Sequence, residues 1–140
     1  MAEALVALEN IIVSYGDSVA LDVPSLIVER GEILAVIGPN GAGKSTFLRV
    51  IGLLQQPTRG KIYFHDRAVL PTDGLAIRRR MASVFQEPLL LNASVYENVA
   101  LGLKLRGLDR HATEQRVLPW LERLGISQPA KRQARTLSGG

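Results

Sequence analysis

Residues 37–46, IGPNGAGKST, place three glycines, a proline and a lysine in ten positions, directly after the apolar run ILAVI at 33–37. Glycine loses more backbone freedom on ordering than any other residue, so three of them beside a strand argue for chemistry rather than packing. The pattern G-x-x-x-x-G-K-[S/T] is met by Gly38, Gly43, Lys44 and Ser45, and its chemistry is the cradling of a polyphosphate. Several negative charges must be met there without bulky side chains in the way. Gly38, Gly41 and Gly43, with Pro39, Asn40 and Ala42 between them, allow the backbone to curl so that successive N–H groups point inward at the start of a helix. Lys44 is placed to reach the β- and γ-phosphates, Ser45 to put its hydroxyl on Mg²⁺, and Thr46 to offer a hydroxyl near the α-phosphate. A glycine-rich turn ahead of an ordinary helix cap is the simpler alternative. An apolar strand before the loop and an amphipathic pattern after it favour the phosphate loop.

The elements that must position these residues follow from periodicity and punctuation. Residues 5–16 read as a strand closed by a turn at Gly16 and Asp17, and 19–32 as a second extended segment. The unbroken apolar run 33–38 predicts a strand buried on both faces. Residues 44–54 carry apolar positions at helical spacing, 55–60 (QQPTRG) form a loop, and 61–65 a short strand. A short helix is expected over 75–82, leading into SVFQ at 83–86. Ser94 and Glu97 make a capping box ahead of a helix through 95–107. A further helix is expected over 110–125, broken or bent at Pro119 and stopped by Gly125. There is no internal repeat and no low-complexity segment.

Composition narrows the class. The 140 residues are 46% hydrophobic and 21% charged, ordinary for a globular domain. The net charge of +4 is scattered except at Arg78, Arg79 and Arg80, a run read as a solvated helix face, so charge does not point to nucleic acid. The absence of cysteine excludes disulfides and thiolate metal sites. No leader-like N-terminal segment and no membrane-spanning stretch is present. His65 and His111 read as surface or loop residues.

The motifs together resemble the ATP-binding-cassette ATPases at four places in the family's order. Tyr15 in VSYG sits where the family stacks an aromatic ring on adenine. Residues 37–46 are similar to its phosphate loop almost residue for residue. Gln86 in VFQEP matches the Q-loop glutamine, which contacts Mg²⁺ and the attacking water. Residues 137–140, LSGG, look like the start of the signature motif. The resemblance covers essentially the whole chain. It implies an α/β, P-loop NTPase-like fold with antiparallel N-terminal strands, an incomplete parallel core sheet and a helical subdomain. Residues 1–86 would form the strands and ATP-binding core portion, and 87–140 the helical subdomain. ATP and Mg²⁺ are the implied ligands, with Lys44 and Gln86 in catalytic roles and Ser45 and Gln86 on the metal.

The resemblance also implies partners. Two cassettes would meet head to tail, with Ser138, Gly139 and Gly140 of one closing over the γ-phosphate held by the other. The Q-loop and helical subdomain would dock on membrane permease subunits at the cytoplasmic face of a bacterial plasma membrane, without inserting into it. Leu89, Leu90 and Leu91 would either serve that contact or fill the core. Residues 78–107 look more like importers than exporters, and most like importers of oxyanions such as tungstate or molybdate. Chromosome-maintenance and DNA-repair relatives insert long coiled coils after the Q-loop, and no sustained heptads occur here. The family pattern continues past Gly140 with a glutamine, a strand ending in aspartate and glutamate, and a switch histidine. The expectation for these 140 residues alone is therefore phosphate binding without competent hydrolysis, and a marginal, aggregation-prone fold. A non-hydrolysing nucleotide-binding module is the alternative.

Overall fold

In the computed structural model, residues 3–86 and 89–137 are described, and the chain divides into two compact units between Ser83 and Val84. In the first unit β1 (Ala4–Tyr15) and β2 (Ser18–Glu29) form a long antiparallel hairpin. It turns through Gly16 at φ +58°, a left-handed conformation glycine takes without a Cβ clash. Two further strands, β3 (Arg59–Phe64) and β4 (Arg67–Ala68), complete a sheet of order β2-β1-β3-β4, antiparallel throughout.

The buried residues of β1 are Val6, Leu8, Ile11 and Val13, a spacing that slips by one position in mid-strand. The cause is a bulge. Asn10 adopts φ +50° and the register against β3 shifts between Glu9 and Ile12, so the extra residue returns the apolar side chains to the core face. Gly60 lies opposite, where a Cβ would fall on the carbonyl oxygens of Asn10 and Glu9. Helix α1 (Lys44–Ile51) lays Phe47 and Val50 on this core together with Ile62 of β3.

The end of α1 is closed by the N–H of Leu54 on the Arg49 carbonyl (2.8 Å) and that of Leu53 on Val50 (3.0 Å). This is the double bond pattern usually built on a left-handed glycine, yet Leu53 occupies the left-handed position at φ +53°. The Leu53 carbonyl accepts from the Arg78 guanidinium (2.9 Å), at the end of α2 (Gly74–Arg78). Arg80 lies 5.3 Å over the Phe64 ring. The basic run is thus not simply a solvated face: Arg78 donates to a backbone carbonyl of the left-handed turn that follows α1.

The expected strand at 33–38 is not formed. Residues 32–39 carry no regular secondary structure, and Ile33 and Ile37 are 95% and 92% exposed. A buried strand needs a neighbour on each edge and a layer on each face, and none of the described strands pairs with this segment.

The second unit is helical. Helices α3 (Val95–Lys104) and α4 (Arg110–Arg123) enclose a core of Val95, Ala100, Val117, Leu121 and Ala134. Short 3-10 turns follow at Gln128–Lys131 and Ala134–Thr136. The expected capping box is present. The Glu97 N–H donates to Ser94 Oγ (3.2 Å), while Glu97 Oε2 accepts from the Ser94 N–H (2.9 Å) and hydroxyl (2.8 Å). Those bonds, the backbone one foremost, hold the Glu97 carboxyl below its ordinary pKa.

Pro119 does not break α4. Val117 and Leu121 on either side are buried in the core, and packing outweighs the lost backbone bond. Gly125 ends the helix as expected, at φ +70°, with its N–H on Glu122 (2.9 Å) and that of Ile126 on Leu121 (2.8 Å).

Candidate functional site

Gly41 and Gly43 stand at φ +84° and +82°, where a side chain would be strained, and they bend residues 38–43 back over the start of α1. Gly43 is also required by space. The β1–β2 register slips between Val13 and Ser14 so that Ala20 bulges, and its carbonyl oxygen would lie 2.5 Å from a Cβ on Gly43. The bulge therefore seats the end of the loop directly on β2.

Lys44 is the first residue of α1, and its Nζ donates to the carbonyls of Gly38 (2.8 Å) and Pro39 (2.7 Å). The side chain reaches back along the loop and braces it. An ammonium has three protons, so one remains for an anion. The first turn of α1 contains no acidic residue, so nothing there opposes the partial positive charge of a helix N-terminus. Ser45 is exposed, whereas Thr46 is buried beside Phe47 in the chain. Pro39, Asn40 and Ala42 are exposed in the loop, which is closed by the Ala42 N–H on the Pro39 carbonyl (3.3 Å).

These residues fit a magnesium–polyphosphate. Among the described residues no group of three His, Cys, Asp or Glu side chains could hold a metal by itself. Mg²⁺ does not require such a group, because it is commonly held by one or two protein oxygens together with phosphate oxygens and water. The exposed Ser45 hydroxyl beside an anion cradle suits that mode.

Tyr15 ends β1 and is 56% exposed as a residue. Its hydroxyl accepts a bond from Gln55 Nε2 (2.6 Å), a contact that nothing in the loop-like sequence of 55–60 announces. Gln86 is exposed in the second unit. Ser138, Gly139 and Gly140 lie outside the described residues. Leu90 packs on the second unit's core, while Leu89 and Leu91 are exposed. His65 stands in the β3–β4 turn with Nδ1 2.9 Å from Glu3 Oε1, and His111 is exposed with its ring 2.9 Å from Gln115 Nε2.

A second missed residue is Asn98. Its Oδ1 accepts from the Leu91 N–H (2.8 Å), and its Nδ2 donates to the carbonyls of Leu91 (3.4 Å), Ala93 (3.3 Å) and Ser94 (2.9 Å). The same stretch is tied to the end of the unit. The Val95 N–H donates to Arg132, that of Ala134 to Ala93, both at 3.0 Å, and Arg135 Nε donates to Leu90 (3.1 Å). An asparagine in the first turn after a capping serine was the available signal, since its side chain competes for nearby backbone groups.

The ABC transporter family profile matches residues 21–140. The tungstate uptake system ATP-binding protein TupC of Peptoclostridium acidaminophilum is 39% identical over 135 residues, covering 96% of this chain and 61% of that protein. The methionine import ATP-binding protein MetN of Rhizobium meliloti is 44% identical over 125 residues, covering 86% and 35%. The chain thus spans about three fifths or less of the length of these relatives. Among solved structures, an ATP-binding cassette dimer in a post-hydrolysis state with ADP and Pi superposes with TM-score 0.80 at 29% identity, covering 96% of this chain and 63% of that one. With a glycine-bent loop braced by Lys44 and a family match over most of its length, the chain belongs to the ABC transporter family.

Proposed function

We propose that this chain forms the nucleotide-binding part of an ATPase subunit that drives a bacterial ABC importer, with ATP and Mg²⁺ as its ligands. The observation that carries this reading is Lys44, folded onto the Gly38 and Pro39 carbonyls at the mouth of α1 beside the exposed Ser45. Lys44 neutralises terminal phosphate charge, the backbone N–H groups of the loop and the start of α1 donate to the β-phosphate, and Tyr15 stacks on adenine. The hydroxyl of Ser45 and the side-chain oxygen of Gln86 would hold Mg²⁺, which would supply screening of the phosphate charge. Catalysis in such a site rests on positioning and charge stabilisation more than on covalent chemistry.

Residues 1–86 supply the core portion and 87–140 the helical portion of one cassette. Ser138, Gly139 and Gly140 complete the site of a second, head-to-tail subunit, and the Q-loop and helical portion, with the exposed Leu89 and Leu91, face a permease subunit. No helix among the described residues is long and apolar enough to cross a membrane, which suits a peripheral position on the cytoplasmic face. The import relatives favour uptake, and the tungstate relative makes a small oxyanion the leading cargo. These 140 residues by themselves bind nucleotide without sustained turnover.

The test is equilibrium binding of Mg-ATP alongside phosphate release on one preparation. Lys44→Ala should weaken ATP binding at least tenfold, the loss expected of one charge-assisted contact. Unchanged affinity in that variant would refute the placement of the phosphates, and clear turnover would refute the binding-only reading.

A further inference from the structure

We infer that Gln55 is a positioning residue for nucleotide binding, fixing the Tyr15 ring so that base platform and phosphate grip are held at one spacing. The inference rests on the proposed role of Tyr15. A tyrosine at the end of a strand with half its surface in water is free to choose among rotamers, and a ligand stacking on it must bear the ordering cost. The bond from Gln55 Nε2 to the Tyr15 hydroxyl, 2.6 Å, removes part of that cost before ligand arrives. It engages the hydroxyl oxygen, leaving the hydroxyl its own proton and placing no bond on the ring face.

Gln55 can do this because its backbone is held on both sides. Its N–H and that of Leu54 reach the Arg49 carbonyl in the last turn of α1, at 3.2 and 2.8 Å. Three residues on, the Thr58 N–H donates to Ile12 (2.7 Å) and Thr58 Oγ1 accepts from the Ser14 N–H (3.0 Å). Arg78 holds the Leu53 carbonyl just upstream. Both ends of α1 are therefore referenced to the same hairpin: its start through Gly43 against Ala20 of β2, and the segment after it through Gln55 against Tyr15 of β1. An eight-residue helix about 12 Å long becomes a fixed spacer between phosphate and base.

The experiment compares binding of ATP and of inorganic tripolyphosphate, each with Mg²⁺, to the intact chain by calorimetry. Gln55→Leu and Tyr15→Phe remove the same hydrogen bond from opposite sides and keep the ring. Each should weaken ATP about three- to tenfold, as loss of one partly exposed bond does, and Gln55→Leu should leave tripolyphosphate affinity unchanged. The double variant should be no weaker than the single ones. Equal weakening of ATP and tripolyphosphate by Gln55→Leu would overturn the inference, because the glutamine would then act only through α1, and so would unchanged ATP affinity. Tyr15→Ala separates the premise: if it leaves the ATP-to-tripolyphosphate ratio as in the parent, stacking itself fails and the inference falls with it. A lowered ratio in Tyr15→Ala with an unaltered one in Gln55→Leu would reject Gln55 alone.

Discussion

Replacing Gly43 with alanine introduces one methyl group and two separable penalties. The first is conformational. At φ +82° an alanine adopts the left-handed region at a cost of about 1–2 kcal/mol. The second is steric: the new Cβ would stand 2.5 Å from the Ala20 carbonyl oxygen, half an ångström inside the 3.0 Å that such contacts essentially never undercut. The Cβ is fixed to the loop backbone and the oxygen belongs to the backbone of β2, so β2 and the loop must part, which adds about 1–2 kcal/mol by the usual cost of overpacking. The total of about 2–4 kcal/mol divides between destabilising the first unit and displacing the loop. If all of it falls on displacing the loop, Mg-ATP affinity falls about 30- to 1000-fold, and by less where part of it is taken up as lost stability. Gly41→Ala is the internal control. Its φ is +84° but no atom lies within 4 Å of the added Cβ, so only the conformational cost applies and the loss should be roughly tenfold. Nucleotide titration combined with thermal melting captures both channels. Equal summed effects in the two variants would refute the claim that β2 seats the loop, and a Gly43→Ala protein within threefold of the parent in affinity and unchanged in melting would refute the whole account.

Asn98→Ala removes the side-chain hydrogen bonds to Leu91, Ala93 and Ser94 and should cost about 2–3 kcal/mol in chemical denaturation; a loss under about 0.5 kcal/mol would show that water replaces the side chain. The Glu97 carboxyl is held below its ordinary pKa by Ser94. Its stabilisation is therefore present above the unfolded value of about 4.3 and is lost as pH falls through the lower folded value. The melting-temperature gap between the parent and Glu97→Gln should narrow from pH 6 to pH 3, and a constant gap would count against the ionised cap. Ile33 and Ile37, almost fully exposed, should make the 140-residue chain self-associate. Ile33→Lys with Ile37→Lys should shift sedimentation toward monomer, and an unaltered profile would clear these side chains of the effect.

Features that depend on a few adjacent residues were legible before any coordinates. The glycine spacing around Lys44, the Ser94–Glu97 box and the Gly125 stop each express a local backbone requirement, and each is present. Features defined by distant partners were not. The run 33–38 has the composition of a buried strand, but a strand exists only through its neighbours. Gln55 and Tyr15 meet across a fold in which forty positions separate them, and nothing in QQPTRG marks which glutamine will do so. The basic run misled for a related reason. Arg78 serves the end of a helix that finishes at Ile51 with Leu53 in a left-handed turn, and no residue next to Arg78 announces that need. Pro119 shows the opposite failure, a local signal overruled by burial on both sides.

The ties between residues 90–95 and 132–135 give the second unit a narrow neck, where the chain enters and leaves side by side. Geometry at the neck is then insulated from the length of what lies beyond it. Once the two ends are clasped, doubling the enclosed chain adds only about 0.6 kcal/mol of closure entropy. Helices α3 and α4 form a replaceable head on a fixed collar. A chain built this way can change the face it offers to other proteins, by lengthening or trimming those helices, without resetting the backbone at residues 90–95 and 132–135.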